Sequence, residues 1–200
     1  MNFKYYDLMS SLVSGILVAV SVNIVFDLDF SYDAVPLMAV AYAIGYFINA
    51  TSSLLEKTYY WTMGGKPSHV LLTPIEGQPY TGSKRVKFYE ATKVIELLKH
   101  ELGDSTPSLG KMFGRAMSYS NDDEKSRVPD FNAQYAFSRV ILTTSLVLSA
   151  LWLSQSYNAW WMWMLCMFVI YMSWRRCKER GYYYAREVLT VYLRKKRTSN

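Results

Sequence analysis

Histidine and cysteine are scarce in this chain, with two of each in 200 residues. His69 and His100 stand apart from each other and from any ligand-like company, so no zinc or haem spacing exists. Cys166 falls inside a long apolar stretch and Cys177 beyond it among basic residues, positions that do not favour a disulfide. Phosphate-loop chemistry is missing too. GGKPSH, 64–69, has two glycines and a lysine without the phosphate-loop spacing, and no clear strand precedes it. It reads as a turn. No nucleophile with a base and no well-supported carboxylate pair is evident. Asp122, Asp123 and Glu124 form a charge run that reads as solvated surface, with cation binding as the alternative. The expectation is therefore no metal, no cofactor and no enzyme.

Charge is also missing over long distances. The chain is 51% hydrophobic with net charge +6, but the two classes are segregated on the scale of a bilayer crossing. Residues 8–26, 34–55 and 140–174 carry no charge. A helix needs about 20 residues to cross a roughly 30 Å hydrocarbon core. The third stretch is long enough for two crossings, with Gln155-Ser156-Tyr157-Asn158 as the turn between them. Its first helix is expected to begin near Pro129, with Arg139 snorkelling to the headgroups. The first stretch lacks a basic start and a small-residue cleavage site, and a second span follows at once, so it is expected to stay in the membrane. No ionisable side chain lies deep in any span, which argues against a proton relay.

Acidic and basic residues then set the orientation. The hairpin DLDFSYD, 27–33, has three carboxylates and no lysine or arginine, and QSYN has no charge. Nearly all 22 basic residues lie in 57–139 and 175–197. Positive charge on short loops stays in the cytoplasm. Both termini and the central segment are thus expected in the cytoplasm, with both hairpins outside. Trp160, Trp161 and Trp163 mark an outer aromatic belt, and Arg175 and Arg176 stop the last span. The expected organisation is a transmembrane hairpin at 1–56, a cytoplasmic helical module at 57–128, a second hairpin at 129–174 and a basic helical tail at 175–200. The fold class is all-α, a four-span membrane protein with a small cytoplasmic domain, oligomeric.

Within the module, GGKPS and TPIEGQPYTGS are rich in turn residues. KRVKFYEATKVIELLKHEL, 84–102, places Val86, Tyr89, Val94, Leu97, Leu98 and Leu102 on one helical face, with Gly103 as the stop. Asp104 to Pro107 offers caps for a further helix carrying Leu109, Met112, Phe113 and Met117, and 118–126 reads as a polar break. The last span is expected to continue past Gly181, a candidate kink, so that Val188, Tyr192 and Leu193 pack on the 84–102 helix.

Two features invite a functional reading. Ser11, Gly15, Ala19 and Asn23 recur every fourth residue, as do Ala41, Gly45, Asn49 and Ser53. Such stripes serve helix packing in lipid. Alternatively one lines a pore, with Ser11, Gly15, Asn23, Asn49 and Ser53 on the axis and Asp27, Asp29 and Asp33 as carboxylate rings at the outer mouth. The basic residues open a second choice. Lys84, Arg85 and Lys87 open the 84–102 helix, and Arg175, Arg176 and Lys178 lie just under the membrane. They bind anionic lipid, or, with a helix N-terminus, a nucleotide or oligonucleotide. Tyr182, Tyr183 and Tyr184 then stack bases or simply pack.

GGKPSHVLL after the second span, RVPDFNAQYAFSR entering the third and YYYAREVLTVYL after the fourth recur in an arrangement that resembles small bacterial four-span proteins. It is similar to the membrane effector of Hailong-type anti-phage systems. That resemblance implies an oligomeric channel, a tetramer, held shut by a nucleic-acid oligomer that a partner nucleotidyltransferase makes. The rival expectation is a non-conducting anchor or scaffold that docks a cytoplasmic protein.

Overall fold

The computed structural model describes residues 3–28, 34–121 and 126–198. The chain is mostly helical and divides into two compact units. One comprises Met1–Lys57 and Ala133–Cys177, the other Thr58–Asn132 and Lys178–Asn200.

In the first unit, α1 (Phe3–Phe26) and α2 (Ala34–Leu54) pair as an antiparallel hairpin. Glycine sets how closely they approach. A Cβ added to Gly15 would sit 1.6 Å from the Ala41 carbonyl oxygen, and one added to Gly45 would sit 1.7 Å from that of Ser11. The two contacts are reciprocal, so the seam is built from backbone against backbone, the arrangement small residues permit in lipid. On α2 the buried residues are Ala41, Gly45, Ile48 and Ser52, a 4-3-4 spacing. A strict every-fourth stripe drifts about 40° per step on a 3.6-residue helix. Hence Asn49 and Ser53 turn out of the seam that Ala41 and Gly45 occupy.

Among the described residues, three helical stretches are long and apolar enough to cross a membrane: Leu8–Phe26, Val35–Leu54 and Val128–Gln155, the last being α7. This fits a multi-pass membrane protein. Helix α7 begins next to Pro129 as expected, and the turn before α8 (Trp160–Thr198) falls at 156–159. The uncharged part of α8 ends at Trp174 and is about 22 Å long at 1.5 Å per residue, shorter than a full hydrocarbon core. Val35, Phe47 and Met167 are 79%, 68% and 66% exposed, a display of apolar surface at odds with water and natural in lipid or against another subunit. Arg139 does not reach out alone. It forms an ion pair with Glu56 at 3.1 Å and donates to Ser53 Oγ at 3.2 Å, because α3 (Glu56–Met63) follows α2 after a single residue; the short α4 (Pro67–Leu71) comes next, where a turn was expected.

The second unit has one apolar core. Val94 and Leu98 of α5 (Ala91–Leu102), Met112 and Ala116 of α6 (Leu109–Asn121), and Val188, Leu189, Tyr192 and Leu193 of α8 are all buried in it. Gly103 ends α5 in the left-handed region, φ 61°. Ser108 caps α6 by accepting from the Lys111 amide at 3.3 Å. Helix α8 passes Gly181 without interruption, so the expected kink is absent. Residues 118–121 belong to α6, and the rest of the expected polar break up to Lys125 lies outside the described residues, as do Asp122, Asp123 and Glu124.

The expected helix over 84–102 starts late. Residues 84–90 instead belong to a short hairpin, in which β1 (Thr81–Gly82) pairs antiparallel with β2 (Lys87–Phe88). The fold is thus not purely helical. Val86 and Phe88 are buried while Lys87 and Tyr89 are exposed, a period of two that the helical template absorbed. Gly82 makes the hairpin possible: its φ is 109°, and a Cβ there would lie 2.4 Å from the Val86 carbonyl oxygen.

Gly45→Val is expected to pry α1 from α2 and to destabilise the purified protein by about 1–3 kcal/mol, the range for overpacking. Gly114→Ala, where a Cβ meets nothing within 4 Å, is the control and should leave unfolding unchanged or slightly later. Thermal unfolding in detergent compares them; equal effects would contradict the close seam.

Candidate functional site

The second unit carries a cluster of charged and phenolic groups around Glu101, at the end of α5. Arg115 of α6 donates to its Oε1 at 2.7 Å, and Tyr192 of α8 donates to Oε2 at 2.8 Å. Lys196 lies 3.3 Å from Oε2 and 3.2 Å from the Tyr119 hydroxyl. Lys195 donates to the Tyr119 carbonyl at 2.8 Å, and Arg197 pairs with Glu90. The Glu101 side chain is only 13% exposed. Burial by itself would raise its pKa, but hydrogen bonds from Tyr119, Tyr192, Arg115 and Lys196 prevail and hold it at about 2. The same surroundings push the Tyr192 hydroxyl upward, through burial and then the Glu101 carboxylate. These groups satisfy one another and fasten the three helices of the core together.

Sequence reading gave the residues after 175 only as a basic helical tail and missed this cluster. A single acid at the end of an amphipathic helix gives no signal of its own. Two cations at the chain end, Lys196 and Arg197, opposite acids at the two ends of the α5 segment, Glu101 and Glu90, would have been the clue.

The expected ligand cations fall out differently. Lys84 and Arg85 lie in the tight turn closed by Ser83 N–H donating to the Val86 carbonyl at 3.0 Å, and Lys87 points outward from β2. None of them opens a helix. The N-terminus of α5 is flanked by Glu90 instead, so the combination of these lysines with a helix N-terminus is not formed. Arg85 is paired with Glu179 at 2.7 Å, which brings the hairpin to α8 beside Lys178. The Lys87 ammonium lies 4.5 Å from the centre of the Tyr80 ring. On the same helix Arg175 is half-buried and Arg176 exposed. Tyr182 is buried in the core, and Tyr184 packs there with its hydroxyl 3.1 Å from the Met117 sulfur, so these rings serve as packing.

In the first unit, Ser11 and Gly15 sit in the α1–α2 seam. Asn23 and Asn49 are half-buried, and Ser53 is exposed and hydrogen-bonded to Arg139. Asp27 is exposed just past α1 at φ 51°; Asp29 and Asp33 lie outside the described residues.

A separate feature is a cavity of about 510 Å³ between α1, α7 and α8. Leu17, Leu148, Trp152, Leu165 and Val169 give it an apolar wall. Thr144 and Ser145 also face it, but their hydroxyls donate to the Val140 and Ile141 carbonyls at 2.9 and 2.8 Å. Ser145 and Ser173 are joined at 2.9 Å. Polar atoms already satisfied in this way offer little to water.

Among the described residues no three histidine, cysteine, aspartate or glutamate side chains gather as metal ligands would. No family model, curated protein or solved structure matches this chain.

Glu101→Gln should destabilise the second unit by about 2 kcal/mol at neutral pH, the scale for a buried charged hydrogen-bond acceptor. Its folded pKa is depressed from the ordinary 4.5 to about 2, so the stabilisation is full above pH 4.5 and fades as pH falls towards 2. The deficit of the variant should therefore shrink over that interval. Chemical denaturation at pH 7 and pH 3 measures it, and an equal deficit at both values would refute the assignment.

Proposed function

We propose that this chain is a subunit of an oligomeric bacterial inner-membrane channel acting in anti-phage defence. It crosses four times with both termini in the cytoplasm. An anionic ligand, a nucleotide or oligonucleotide, on the cytoplasmic unit sets its conductance. The observation that carries this reading is the way the two units are joined. The chain passes between them at 57/58, 132/133 and 177/178, and all three passages lie inside helices, in α3, α7 and α8. No loop intervenes to absorb a change in the helices of the ligand-bearing unit. A ligand shifts a closed–open equilibrium only by its differential affinity for the two states, and helical continuity gives that preference a route.

The fourth crossing has its own support. Residues 71–128 and 182–193 share one core, so they lie on the same side of the bilayer. If α7 leaves that side, the first part of α8 has to return. Tryptophans at its start and Arg175 and Arg176 at its end suit a short span with interfacial anchors.

The tetramer and the nucleic-acid ligand rest on the resemblance to Hailong-type effectors. The second reading, a non-conducting scaffold, draws support from the cations of the cytoplasmic unit, several of which are already engaged by Glu90, Glu101 and Glu179. A cytoplasmic protein would find less competition there than a polyanion.

Planar-bilayer recording of the purified protein, with and without a short single-stranded oligonucleotide of mixed sequence, separates the two. A channel should show discrete steps whose open-to-closed ratio changes about tenfold with the oligomer, equivalent to roughly 1.4 kcal/mol of differential binding. Asn49→Leu should alter the steps, and a four-glycine insertion after Cys177 should keep them while abolishing the response. Silence in every condition, including protein stripped of ligand, would reject the channel and leave the scaffold.

A further inference from the structure

Helix α2 has three faces, and one of them is unsuited to lipid. We propose that this face, carrying Tyr42, Tyr46 and Asn49, is where a second copy of the chain packs, α2 against α2. The proposal rests on the membrane placement and the oligomeric state put forward above, and is independent of conductance.

The faces follow from the helical period. Ala41, Gly45, Ile48 and Ser52 are buried, and the first two form the seam with α1. Val40, Phe47 and Leu54, spaced by seven, are apolar and exposed. The polar set follows the buried one by a single position at each step: Tyr42, Tyr46, Asn49 and Ser53. One position is about 100° around the helix, so this set is a face of its own beside the seam. At its far end Ser53 is already met by Arg139 of the same chain. Tyr42 and Tyr46 are 46% and 61% exposed, and Asn49 is half-buried. Among the described residues, none offers a hydrogen-bond partner to either phenol or to the Asn49 side-chain amide.

Depth makes that chemistry unfavourable in a lone subunit. The apolar stretch of α2 runs from Val35 to Leu54. At 1.5 Å per residue Tyr42 lies about 11 Å and Tyr46 about 17 Å along it, near the middle of a roughly 30 Å core. A phenol at that depth does not reach the headgroups, and hydrocarbon offers it no partner. Two properties then select a second copy. Hydroxyl and side-chain amide groups both donate and accept, so the face is complementary to itself. Its spacing also continues past the polar residues. Val35, Ala39, Tyr42, Tyr46, Asn49 and Ser53 follow a 4-3-4-3-4 order, the seam of a left-handed helix pair, and Val35 and Ala39 are exposed as well. A face turned to water has no use for that register at apolar positions. Copies inserted in one orientation meet at equal depth around an axis normal to the membrane, so Tyr46 faces Tyr46 and Asn49 faces Asn49.

The test uses the full-length protein in membrane vesicles. Cys166→Ala and Cys177→Ala remove the native thiols, and a single cysteine then replaces Tyr46, Asn49 or Phe47. Oxidation should join Tyr46→Cys and Asn49→Cys into covalent dimers and leave Phe47→Cys, on the apolar face, monomeric. A second measurement keeps the native cysteines: energy transfer between fluorescently tagged copies, followed as the vesicles are diluted with lipid. Tyr42→Phe, Tyr46→Phe and Asn49→Leu combined leave the α1 seam intact and should weaken association about tenfold or more. Phe47→Leu should leave it unchanged. Cross-linking of Phe47→Cys as complete as that of Tyr46→Cys, or undiminished association of the triple variant, would overturn this face alone. Modification of Tyr46→Cys by a membrane-impermeant thiol reagent would also overturn it, since water and not a second copy would then cover the face. Absence of energy transfer in the unaltered protein at every dilution would overturn both the face and the oligomer.

Discussion

The packing of the end of α8 onto α5 and α6 is the contact on which the second unit depends. Val188, Leu189 and Tyr192 are completely buried against residues that precede them by about 70 to 100 positions. Those α8 residues lie after the apolar stretch of 140–174, and their partners lie before it. The intervening chain has to bring its two flanks back to one core. Burial of these later residues ties the last turns of α8 to the core that the middle of the chain forms.

Much of this was legible in the sequence, and the reasons are specific. The gap in charge between Arg139 and Arg175, interrupted only by QSYN, located α7, the turn and the start of α8, because a bilayer filters charge more strictly than any soluble core does. Gly103 read correctly as a helix stop, because the left-handed conformation it adopts is costly for other residues. The segment 84–90 misled because Val86 and Tyr89 fit a helical period while Val86 and Phe88 fit a strand period. In so short a stretch only the turn decides, and the clue was Gly82, which the helical pattern did not include.

The candidate site was harder to read, since it depends on pairs distant in sequence. The every-fourth stripes marked the helix seam, and the structure uses Ser11, Gly15, Ala41 and Gly45 for backbone contact. The later members rotate away by simple helical drift. Basic residues gave the weaker signal. A run such as RKKR looks the same whether it meets lipid, nucleic acid or carboxylates of its own chain. Here Lys196 and Arg197 meet Glu101 and Glu90, so some of the 22 basic residues face acids of their own chain rather than a partner.

One run of side chains gives α7 a mechanical character. Ser138, Thr143, Thr144 and Ser145 each donate to the carbonyl four residues earlier, competing with the main-chain amides for the same oxygens. Helices bend where hydroxyls do this. Four such bonds fall between Gln134 and Ser145, beside the Arg139–Glu56 ion pair, so this is the stretch of α7 where a bend costs least.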